Sequence, residues 1–376
     1  MRVLQVDAGR EWRGGQNQVR LLSRELAGLS DVELRLVTKR GGELARRATI
    51  EGVLVHGVPW GIGLDPRAWW FLRRFIWSFR PDVVHVHDSH SLTLARLALW
   101  EMNRPGPRNL KWLPRQIDRR AITHPWEYSS WEPPVLVAHR RVDFHIGRRS
   151  GWRRVDRLIA VSEAVKRVLV ADGVSPRDIT VIHDGIDPDE VRARAAAPLG
   201  IRARLGVSTD APLAVNVAAL VDHKDQRTLI RAAALARAQR PELHWAIAGD
   251  GPMRSALEGE IAAAQLGDRV HLLGYVPEAD ALIQEANVFV MSSKEEGLGS
   301  VILNALALGK PVVATAAGGI PEVLPAESLV PIGDAAALGA RVVECLTRSP
   351  FPVPLPPQLT AKSMADATLA LYRSLV

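Results

Sequence analysis

The chain has 376 residues, 47% of them apolar and 24% charged, and a net charge of +7. This composition is typical of a globular protein of two or three domains and excludes whole-chain disorder, collagen-like repeat and coiled coil. A single cysteine excludes a disulfide scaffold, and no uncharged apolar run reaches the roughly 18 residues that a membrane span needs. The N-terminal apolar run is too short for a signal peptide, so we expect a reducing cytoplasm.

The first half of the chain predicts an alternation of strands and helices. Such alternation favours a parallel sheet with helices on both faces. Strands are predicted at residues 2–6, 32–37, 53–55, 82–86, 135–138, 158–161 and 179–182, and helices at 16–29, 67–79, 91–100 and 164–171.

The pattern restarts after Pro212, which predicts a second doubly wound sheet. The join lies near residues 184–197, and a last helix at 360–375 follows a Pro-rich stretch and is expected to pack back onto the first domain. Strands are predicted at 213–217, 243–248, 270–273, 288–291, 312–314 and 329–331, and helices at 226–239, 253–264, 280–285, 300–308 and 335–347.

Residues 101–134 fit neither period and predict a long loop or lid inserted in the first domain. Charge is uneven as well. Residues 1–185 hold 31 Lys and Arg against 20 Asp and Glu, a net charge of +11, whereas 186–376 carry −4. Most tryptophans also lie in the basic half, which suits an anionic surface such as lipid headgroups, a phosphorylated substrate or nucleic acid. The alternative is a solvated Arg-rich surface.

The strongest chemical motif runs from Glu296 to Ala305, where a predicted strand leads through a glycine turn into a helix. Gly297 and Gly299 allow backbone amides to approach a ligand, and the helix end near Ser300 suits a diphosphate. Asn304, one turn along, is expected to aim at the same ligand, and Glu296 to accept from sugar hydroxyls. The alternative is an ordinary exposed βα turn.

Lys224 follows another strand of the second sheet, at a junction where a lysine can bind phosphate together with a helix end. The alternative is a solvated loop lysine. Gly249 and Gly251 form a tight turn after the next strand, with Gly251 expected at positive φ. Gly14 and Gly15 open the first helix without the dinucleotide spacing, yet their amides could hold phosphate or sugar.

Histidines cluster near the end of one strand of the first sheet, at His85, His87 and His90, beside Asp88. Zinc is conceivable there, but no second cluster supports it. His139 ends a neighbouring strand and is expected at the same cleft edge, orienting a substrate hydroxyl, pairing with a carboxylate or serving structure alone.

Two further patterns have simpler readings. Asp187-Pro188-Asp189 matches a metal-binding Asp-x-Asp of another sugar-transfer architecture, but we interpret it as a chance match. Trp69, Leu72, Ile76 and Phe79 take helical spacing and predict a core face. The other face, with Trp70, Arg73, Arg74 and Trp77, is a candidate for contact with a membrane interface.

Taken together, these motifs resemble the retaining family-4 glycosyltransferases of the GT-B fold. The resemblance covers nearly the whole chain, and its most specific part is EEGLGSVILNALALGKPVVATAAGGIPEVL. It implies an α/β protein of two Rossmann-like doubly wound domains facing across a cleft. Residues 1–185 and about 360–376 would bind the acceptor, 186–355 would bind a nucleotide-sugar, and the last helix would return to the first domain.

The resemblance also implies roles for single residues, with no metal and no other cofactor. The catalytic candidates are Glu296, Lys224 and His139. Donor binding would fall to Gly297, Leu298, Gly299, Ser300, Asn304, Gly249, Gly14 and Gly15. Acceptor binding would fall to Gln16, His87 and His90.

Two positions depart from the family pattern. Asn304 stands where the family usually has a second Glu, and Ala219 stands where it often has an Arg. The expected activity is metal-independent retaining transfer to a glycan or lipid-linked acceptor in cell-envelope, lipopolysaccharide or glycolipid synthesis, with possible anionic membrane contact. The alternative is a catalytically degenerate protein that binds a nucleotide-sugar or a partner. The sequence lacks the G-x-G-x-x-G motif that an NAD-linked oxidoreductase would need, and it contains no recognition motif for nucleic acid.

Overall fold

The computed structural model describes residues 1–61, 65–102, 132–348 and 353–376. Most of the insert predicted at 101–134 lies outside these described residues. The described chain forms two parallel sheets, of seven and six strands, each flanked by helices. This confirms the predicted fold class.

The first sheet has the strand order β3-β2-β1-β4-β5-β6-β7, and every recorded pairing is parallel. Its strands are rich in Val, Leu and Ile and are buried on both faces, as a parallel sheet covered by helices requires. The elements are β1 (Arg2–Asp7), α1 (Gly14–Ala27), β2 (Glu33–Lys39), α2 (Glu43–Ile50), β3 (Val55–Val58), α3 (Pro66–Phe79), β4 (Val83–Val86), α4 (Ser89–Met102), β5 (Val135–Arg140), β6 (Arg157–Ala160), α5 (Glu163–Ala171) and β7 (Ile179–Val181).

The second sheet repeats this plan with the order β10-β9-β8-β11-β12-β13, again wholly parallel. The elements from the join onward are α6 (Pro188–Ala195), α7 (Ile201–Leu205), β8 (Leu213–Val217), α8 (Gln226–Ala236), β9 (His244–Ala248), α9 (Arg254–Ala263), β10 (Val270–Gly274), α10 (Ala279–Gln284), β11 (Val288–Met291), α11 (Ser300–Ala307), β12 (Val312–Thr315), β13 (Leu329–Val330), α12 (Ala335–Thr347) and α13 (Ala361–Arg373).

Each sheet reverses its strand order once, between β1 and β4 in the first and between β8 and β11 in the second. Ligands of doubly wound sheets bind at such reversal points, beyond the carboxyl ends of the strands. The loops after these four strands are therefore expected to form the binding site.

The last helix, α13, packs against α1 of the first layer. Tyr372 on α13 is fully buried, and its hydroxyl lies 2.5 Å from Nδ1 of His85 on β4. The return of the C-terminus thus places a side chain directly beneath the carboxyl ends of the first sheet.

One predicted strand was misplaced, and short helices were missed. The third strand occupies Val55–Val58, later than the predicted 53–55. Helix α2 was missed, and so was α6, which occupies residues 188–195 within the predicted join. The Asp187 side chain accepts hydrogen bonds from the amides of Asp189 and Glu190, which starts that helix.

Helix α3 separates its two faces only in part as its spacing predicts, because Arg73 and Trp77, predicted on the outer face, are half-buried and Trp77 packs against the core. Leu72 and Ile76 are buried in the core, whereas Trp70 is 54% exposed, with the Arg74 guanidinium 5.6 Å from its ring centroid. Within the described ranges, none of the helices combines the length and apolarity needed to cross a bilayer.

Candidate functional site

Lys224 and Glu296 meet at the reversal point of the second sheet, although 72 residues separate them in the chain. The Lys224 ammonium donates to Oε2 of Glu296 in an ion pair, and both side chains are largely buried, at 18% and 13% exposed. Ser293 Oγ donates to the same carboxylate oxygen at 3.3 Å. Two of the three predicted catalytic residues therefore share one corner, which we call the donor corner and define as Lys224 and Glu296–Ser300.

Backbone contacts fix the loop that carries Lys224. Ser292 Oγ donates to the Lys224 carbonyl at 3.0 Å, and the Lys294 amide donates to the His223 carbonyl at 2.8 Å. Asp225, in the left-handed region at φ 47°, then caps α8 through Thr228. Because the two loops hold each other, the ammonium group is positioned before any ligand arrives.

The glycine turn of the donor corner brings backbone close to backbone. A methyl group on Gly297 would lie 2.1 Å from the carbonyl oxygen of Arg141 in the first domain, so a larger residue does not fit. Gly299 has φ 80°, and no side chain caps the N-terminus of α11 at Ser300. Leu298 is buried in the core, so it offers a ligand its backbone alone. The uncapped helix end leaves amide donors and a positive dipole end facing the cleft.

Asn304 has a partner that the sequence did not reveal. Its Nδ2 donates to Asp280 Oδ1 at 2.6 Å, and Asp280 also receives a hydrogen bond from Arg194 at 2.6 Å. The side-chain amide is thus held by α10, and its predicted contact with the donor stays a prediction.

Two predicted glycine loops border the site. Gly249 and Gly251 have φ of 143° and 157°, and a methyl on Gly249 would lie 1.8 Å from the Ala218 carbonyl oxygen. That turn packs against the loop after β8. Gly14 begins α1, next to Gly15, and a methyl on Gly14 would lie 3.3 Å from Ser300 Oγ. The loop after β1 therefore reaches across to the donor corner.

The first domain also supplies side chains to the corner that sequence reasoning missed. Asp143 Oδ2 accepts from the Glu296 amide at 2.9 Å, and Ser162 Oγ donates to the Gly297 carbonyl at 2.7 Å. Asp143 follows β5 at a strand end, which is the one sequence signal that could have indicated it.

Glu322, from the second domain, lies at the start of α5 in the first. Its carboxylate accepts from the amides of Glu163 and Ala164, both at 2.9 Å, and pairs with His183 Nε2 at 3.0 Å. A carboxylate at a helix N-terminus is favourable. These bonds hold the two domains in contact on one side of the donor corner.

Three histidines converge at the reversal point of the first sheet. His85, His87 and His139 are buried together, which agrees with the edge predicted for His139, whereas His90 is exposed and does not join them. Asp88, predicted beside them, caps the start of α4 through the His90 and Ser91 amides. The trio forms across two strands, which spacing along one strand did not show.

Arg141 fixes the protonation of this cluster. It donates to Nδ1 of His87 at 3.1 Å and to Nδ1 of His139 at 3.0 Å, while its Nε bonds Asp184 at 2.9 Å. Burial, with Arg141 adding to it, holds the pKa of His139 well below its usual range, so the ring is neutral. A neutral ring that accepts at Nδ1 carries its proton on Nε2. The Nε2 proton of His139 is buried and has no acceptor among the described residues.

The histidine nitrogens are close enough to hold a metal ion, all within 4.8 Å of one another. The chemistry of the donor set does not favour one. Arg141 already donates to two of the Nδ1 atoms, and a metal on Nε2 would require those Nδ1 atoms to carry protons. The arrangement fits a guanidinium cation better than a metal ion. Asp187, as the cap of α6 and a partner of Arg24 at 2.8 Å, is committed to structure.

On the acceptor side, Gln16 and His90 line one cavity beside the histidine cluster. His87 lies beneath it, buried against His85 with ring centroids 4.1 Å apart. The structure thus brings two of the three predicted acceptor residues to an open space.

Comparison with known proteins agrees with this geometry. Residues 12–190 match the family described as Glycosyltransferase Family 4, and residues 200–354 match Glycosyl transferases group 1. The chain is 30% identical over 281 residues to the putative glycosyltransferase EpsD of Bacillus subtilis, covering 72% of this chain and 69% of that one. It is 32% identical over 214 residues to a 2-deoxystreptamine glucosyltransferase of Streptomyces kanamyceticus, covering 54% of each.

Thus the matched stretch spans about half the length of that Streptomyces relative. The crystal structure of Anabaena Alr3699/HepE in complex with UDP-glucose shares the fold, with a TM-score of 0.71 and 18% identity, over 100% of this chain and 95% of that one. Motifs, fold and relatives coincide, and the chain belongs to the glycosyltransferases of the family 4 and group 1 type.

Proposed function

We propose that this protein transfers a sugar from a nucleotide-sugar to an acceptor hydroxyl, with retention at the anomeric carbon and without a metal ion. The observation that supports this most is the donor corner itself. Lys224, Glu296 and the uncapped end of α11 converge at the reversal point of the second sheet and face the first domain. A cation beside free amides is a site for a diphosphate.

The proposed reaction breaks the bond between the anomeric carbon and the diphosphate oxygen and forms one to the acceptor oxygen. The acceptor proton passes to the leaving phosphate, so that a nucleoside diphosphate departs. Lys224 and the amides at Gly297–Ser300 stabilise the charge that develops on that phosphate. When a diphosphate takes the ammonium group, Glu296 is released to accept hydrogen bonds from sugar hydroxyls.

His139 is fully buried, so in this mechanism it positions Arg141 rather than touching a substrate. Its Nδ1 accepts from Arg141 at 3.0 Å. Lys224 supplies the positive charge beside the diphosphate. Asp187 of the Asp187-Pro188-Asp189 motif caps α6 and pairs with Arg24. Both features support transfer without a metal.

The substrates are proposed from the relatives. HepE was solved with UDP-glucose, so a UDP-hexose is the first donor to test. The relatives include a 2-deoxystreptamine glucosyltransferase and a putative colanic acid biosynthesis glycosyltransferase, and we favour an acceptor of the cell envelope, lipid-linked or glycan.

The decisive experiment is a thermal-shift screen of UDP-, GDP- and ADP-sugars, followed by a product assay on the binders. We expect one nucleotide class to raise the melting temperature and to release its nucleoside diphosphate when an acceptor is present. Binding with no transfer to any acceptor would favour the degenerate protein that Asn304 and Ala219 suggest. No stabilisation by any nucleotide-sugar would contradict both functions.

We further propose that the protein works at the inner, cytoplasmic face of a membrane and touches anionic lipid through α3 and α4. These helices pack against each other and expose Trp70, Leu97 and Trp100, in the half of the chain with a net charge of +11. Tryptophan beside arginine suits an anionic interface.

Sedimentation with phosphatidylglycerol vesicles tests this contact. We expect binding that weakens with salt and falls severalfold in Trp70→Ser, because both charge and ring insertion contribute. The control is Tyr275→Ser, which removes an exposed aromatic ring from the second half. Equal binding to phosphatidylcholine vesicles at any salt concentration would count against the proposal.

A further inference from the structure

Asn304 on α11 is held by a buried carboxylate that the proposed mechanism does not use. Its Nδ2 donates to Oδ1 of Asp280 on α10 at 2.6 Å, and the Asp280 side chain is 7% exposed. Because an ionised carboxylate accepts hydrogen bonds and donates none, the amide atom that faces Asp280 must be the nitrogen. The amide oxygen of Asn304 therefore points away from Asp280.

That oxygen is open to a ligand. Asn304 is half-buried, no described residue donates to its Oδ1, and this atom is not among the buried polar atoms that lack a partner. The oxygen therefore contacts solvent. Side chains on a helix lean toward its N-terminus, so Asn304 lies toward Ser300, where the diphosphate of the donor is proposed to bind. The helix thus presents a hydrogen-bond acceptor beside the proposed donor site.

A chain of ion pairs fixes Asp280 in turn. Arg194 on α6 donates through Nε to Asp280 Oδ2 at 2.6 Å and through Nη1 to Glu190. Glu190 also accepts from Arg20 on α1, at 2.8 and 3.0 Å, and the Arg20 side chain is 4% exposed. Because α1 belongs to the first domain, the chain of contacts begins in one domain and ends at the Asn304 amide in the other.

The carboxylate also strengthens the acceptor that it positions. When an amide N–H donates to an anion, the amide polarises and its oxygen accepts more strongly, most of all where water is scarce. Arg194 offsets the cost of burying the Asp280 carboxylate. The pair of Asp280 and Asn304 therefore offers one oriented and polarised oxygen atom.

From these contacts we infer that Asp280 is a positioning residue for the donor, which fixes the Asn304 amide so that Oδ1 accepts from a hydroxyl group of the nucleotide-sugar. The inference rests on the proposed function, because it adds a contact to the donor which that function assumes. Hydroxyl groups occur both on the nucleoside and on the transferred sugar, and the test below distinguishes these two sources.

The test measures dissociation constants of UDP-glucose and UDP by isothermal titration calorimetry on the full chain. Asn304→Ala removes the acceptor and should raise the constant for UDP-glucose about tenfold. An equal rise for UDP supports the inference and assigns the hydroxyl to the nucleoside, whereas a rise for UDP-glucose alone supports it and assigns the hydroxyl to the sugar. Asn304→Asp should weaken binding as much, because it sets two carboxylates against each other.

Exchanging the two side chains is the sharpest variant. When Asp280→Asn is combined with Asn304→Asp, the new amide accepts from Arg194 and donates to the new carboxylate, whose second oxygen serves as the acceptor. Binding of UDP-glucose should return to within about threefold of the wild-type value. In an Asn304→Ala background, Asp280→Asn alone should weaken binding no further, because a positioning residue acts through the residue that it holds.

The chain of ion pairs has a matched control on the same helix. Arg194→Met removes the link to Asp280, whereas Arg192→Met removes an exposed arginine that pairs with Asp189. We expect Arg194→Met to raise the dissociation constant of UDP-glucose about threefold and Arg192→Met to leave it unchanged. Because the exchanged pair keeps the side-chain volumes, it remains informative if a single variant fails to fold.

Two results would overturn the inference while the wild-type protein binds UDP-glucose. One is wild-type affinity in both Asn304→Ala and Asp280→Asn. The other is an exchanged pair that binds no better than Asn304→Asp alone, which would leave Asp280 with a structural role. Wild-type protein that binds no nucleotide-sugar at all would instead contradict the proposed function.

Discussion

The candidate sites of the two sheets lie at equivalent points, but their side chains differ in charge. At the reversal point of the second sheet, an ammonium and a carboxylate pair with each other beside an uncapped helix end. At the reversal point of the first, three neutral histidine rings surround one arginine, and all three Nε2 atoms are buried without a partner among the described residues.

This difference indicates what each site can recognise. The donor corner offers formal charge and can exchange its internal ion pair for a diphosphate. The first sheet offers N–H donors whose charge is fixed by burial, because the pKa of His85, His87 and His139 is held well below its usual range by desolvation. We therefore expect a ligand at this edge of the first sheet to be uncharged, in contrast with the diphosphate proposed for the donor corner.

The sharpest way to break this comparison is to remove charge from the donor corner. Lys224→Met and Glu296→Gln should each lower kcat by about a hundredfold or more, since losing one such electrostatic contact raises the barrier by about 2.7–4 kcal/mol. Both are measured as release of nucleoside diphosphate under saturating donor and acceptor.

Matched controls lie one and two residues before Glu296 on the same loop. Lys294→Met and Glu295→Gln remove the same charges from exposed positions, and Lys294 Nζ faces Asp225 at 3.6 Å rather than Glu296. These variants should retain most activity. If the control variants lost as much activity as Lys224→Met and Glu296→Gln, the net charge of the loop would matter and the pair would not.

The donor corner could be predicted from the sequence because its parts are local. Strand, glycine turn and helix follow one another from Val288 to Ala307, and the topology of a doubly wound sheet brings Lys224 to the same edge. What the sequence could not show was the partner of Asn304. Asp280 lies on a different helix, and nothing in the spacing connects them.

The first sheet was predicted only in part. The position of His139 at a strand end predicted its place at the same edge as His85 and His87, but Tyr372 reaches His85 from 287 residues away. Arg141 sets the tautomer of two rings, although it looks like an ordinary member of an arginine-rich stretch. A site assembled from several distant strands carries no fixed spacing, so it becomes visible when the fold does.

A smaller effect is expected from weakening the contact between the two domains, and it tests whether that contact contributes to activity. Glu322→Gln removes the carboxylate that joins the second domain to the start of α5 and to His183. Helix-end interactions of this kind are worth about 0.5–2 kcal/mol, so kcat/KM should fall about twofold to thirtyfold. The melting temperature should fall by a few degrees.

Small-angle scattering distinguishes the cause. If the bonds of Glu322 hold the domains together, the variant has a larger radius of gyration without donor, and saturating donor reduces the difference. Glu327→Gln, five residues on and exposed, is the control. Loss of activity with an unchanged radius would show that Glu322 acts on the chemistry and not on closure.

The smallest expected effect concerns Asp7, which lies at the end of β1 in the first sheet. Burial, reinforced by the nearby charge of Asp88, raises the pKa of Asp7 from 3.8 to about 6. The folded protein therefore binds this proton more tightly than the unfolded chain does, so ionisation of Asp7 lowers stability as pH rises from about 4 to 6, and the loss persists above pH 6.

Asp7→Asn removes that ionisation while the amide oxygen can still accept from Gly9, whose N–H lies 2.8 Å from Oδ1. The variant should melt a few degrees above the wild type at pH 7.5, and the two should converge as pH falls toward 4. Differential scanning calorimetry across that range measures the convergence. If the variant gained no stability at pH 7.5, the carboxylate would be compensated by Gln16 and Arg141, and the first sheet would then hold charge as readily as the second.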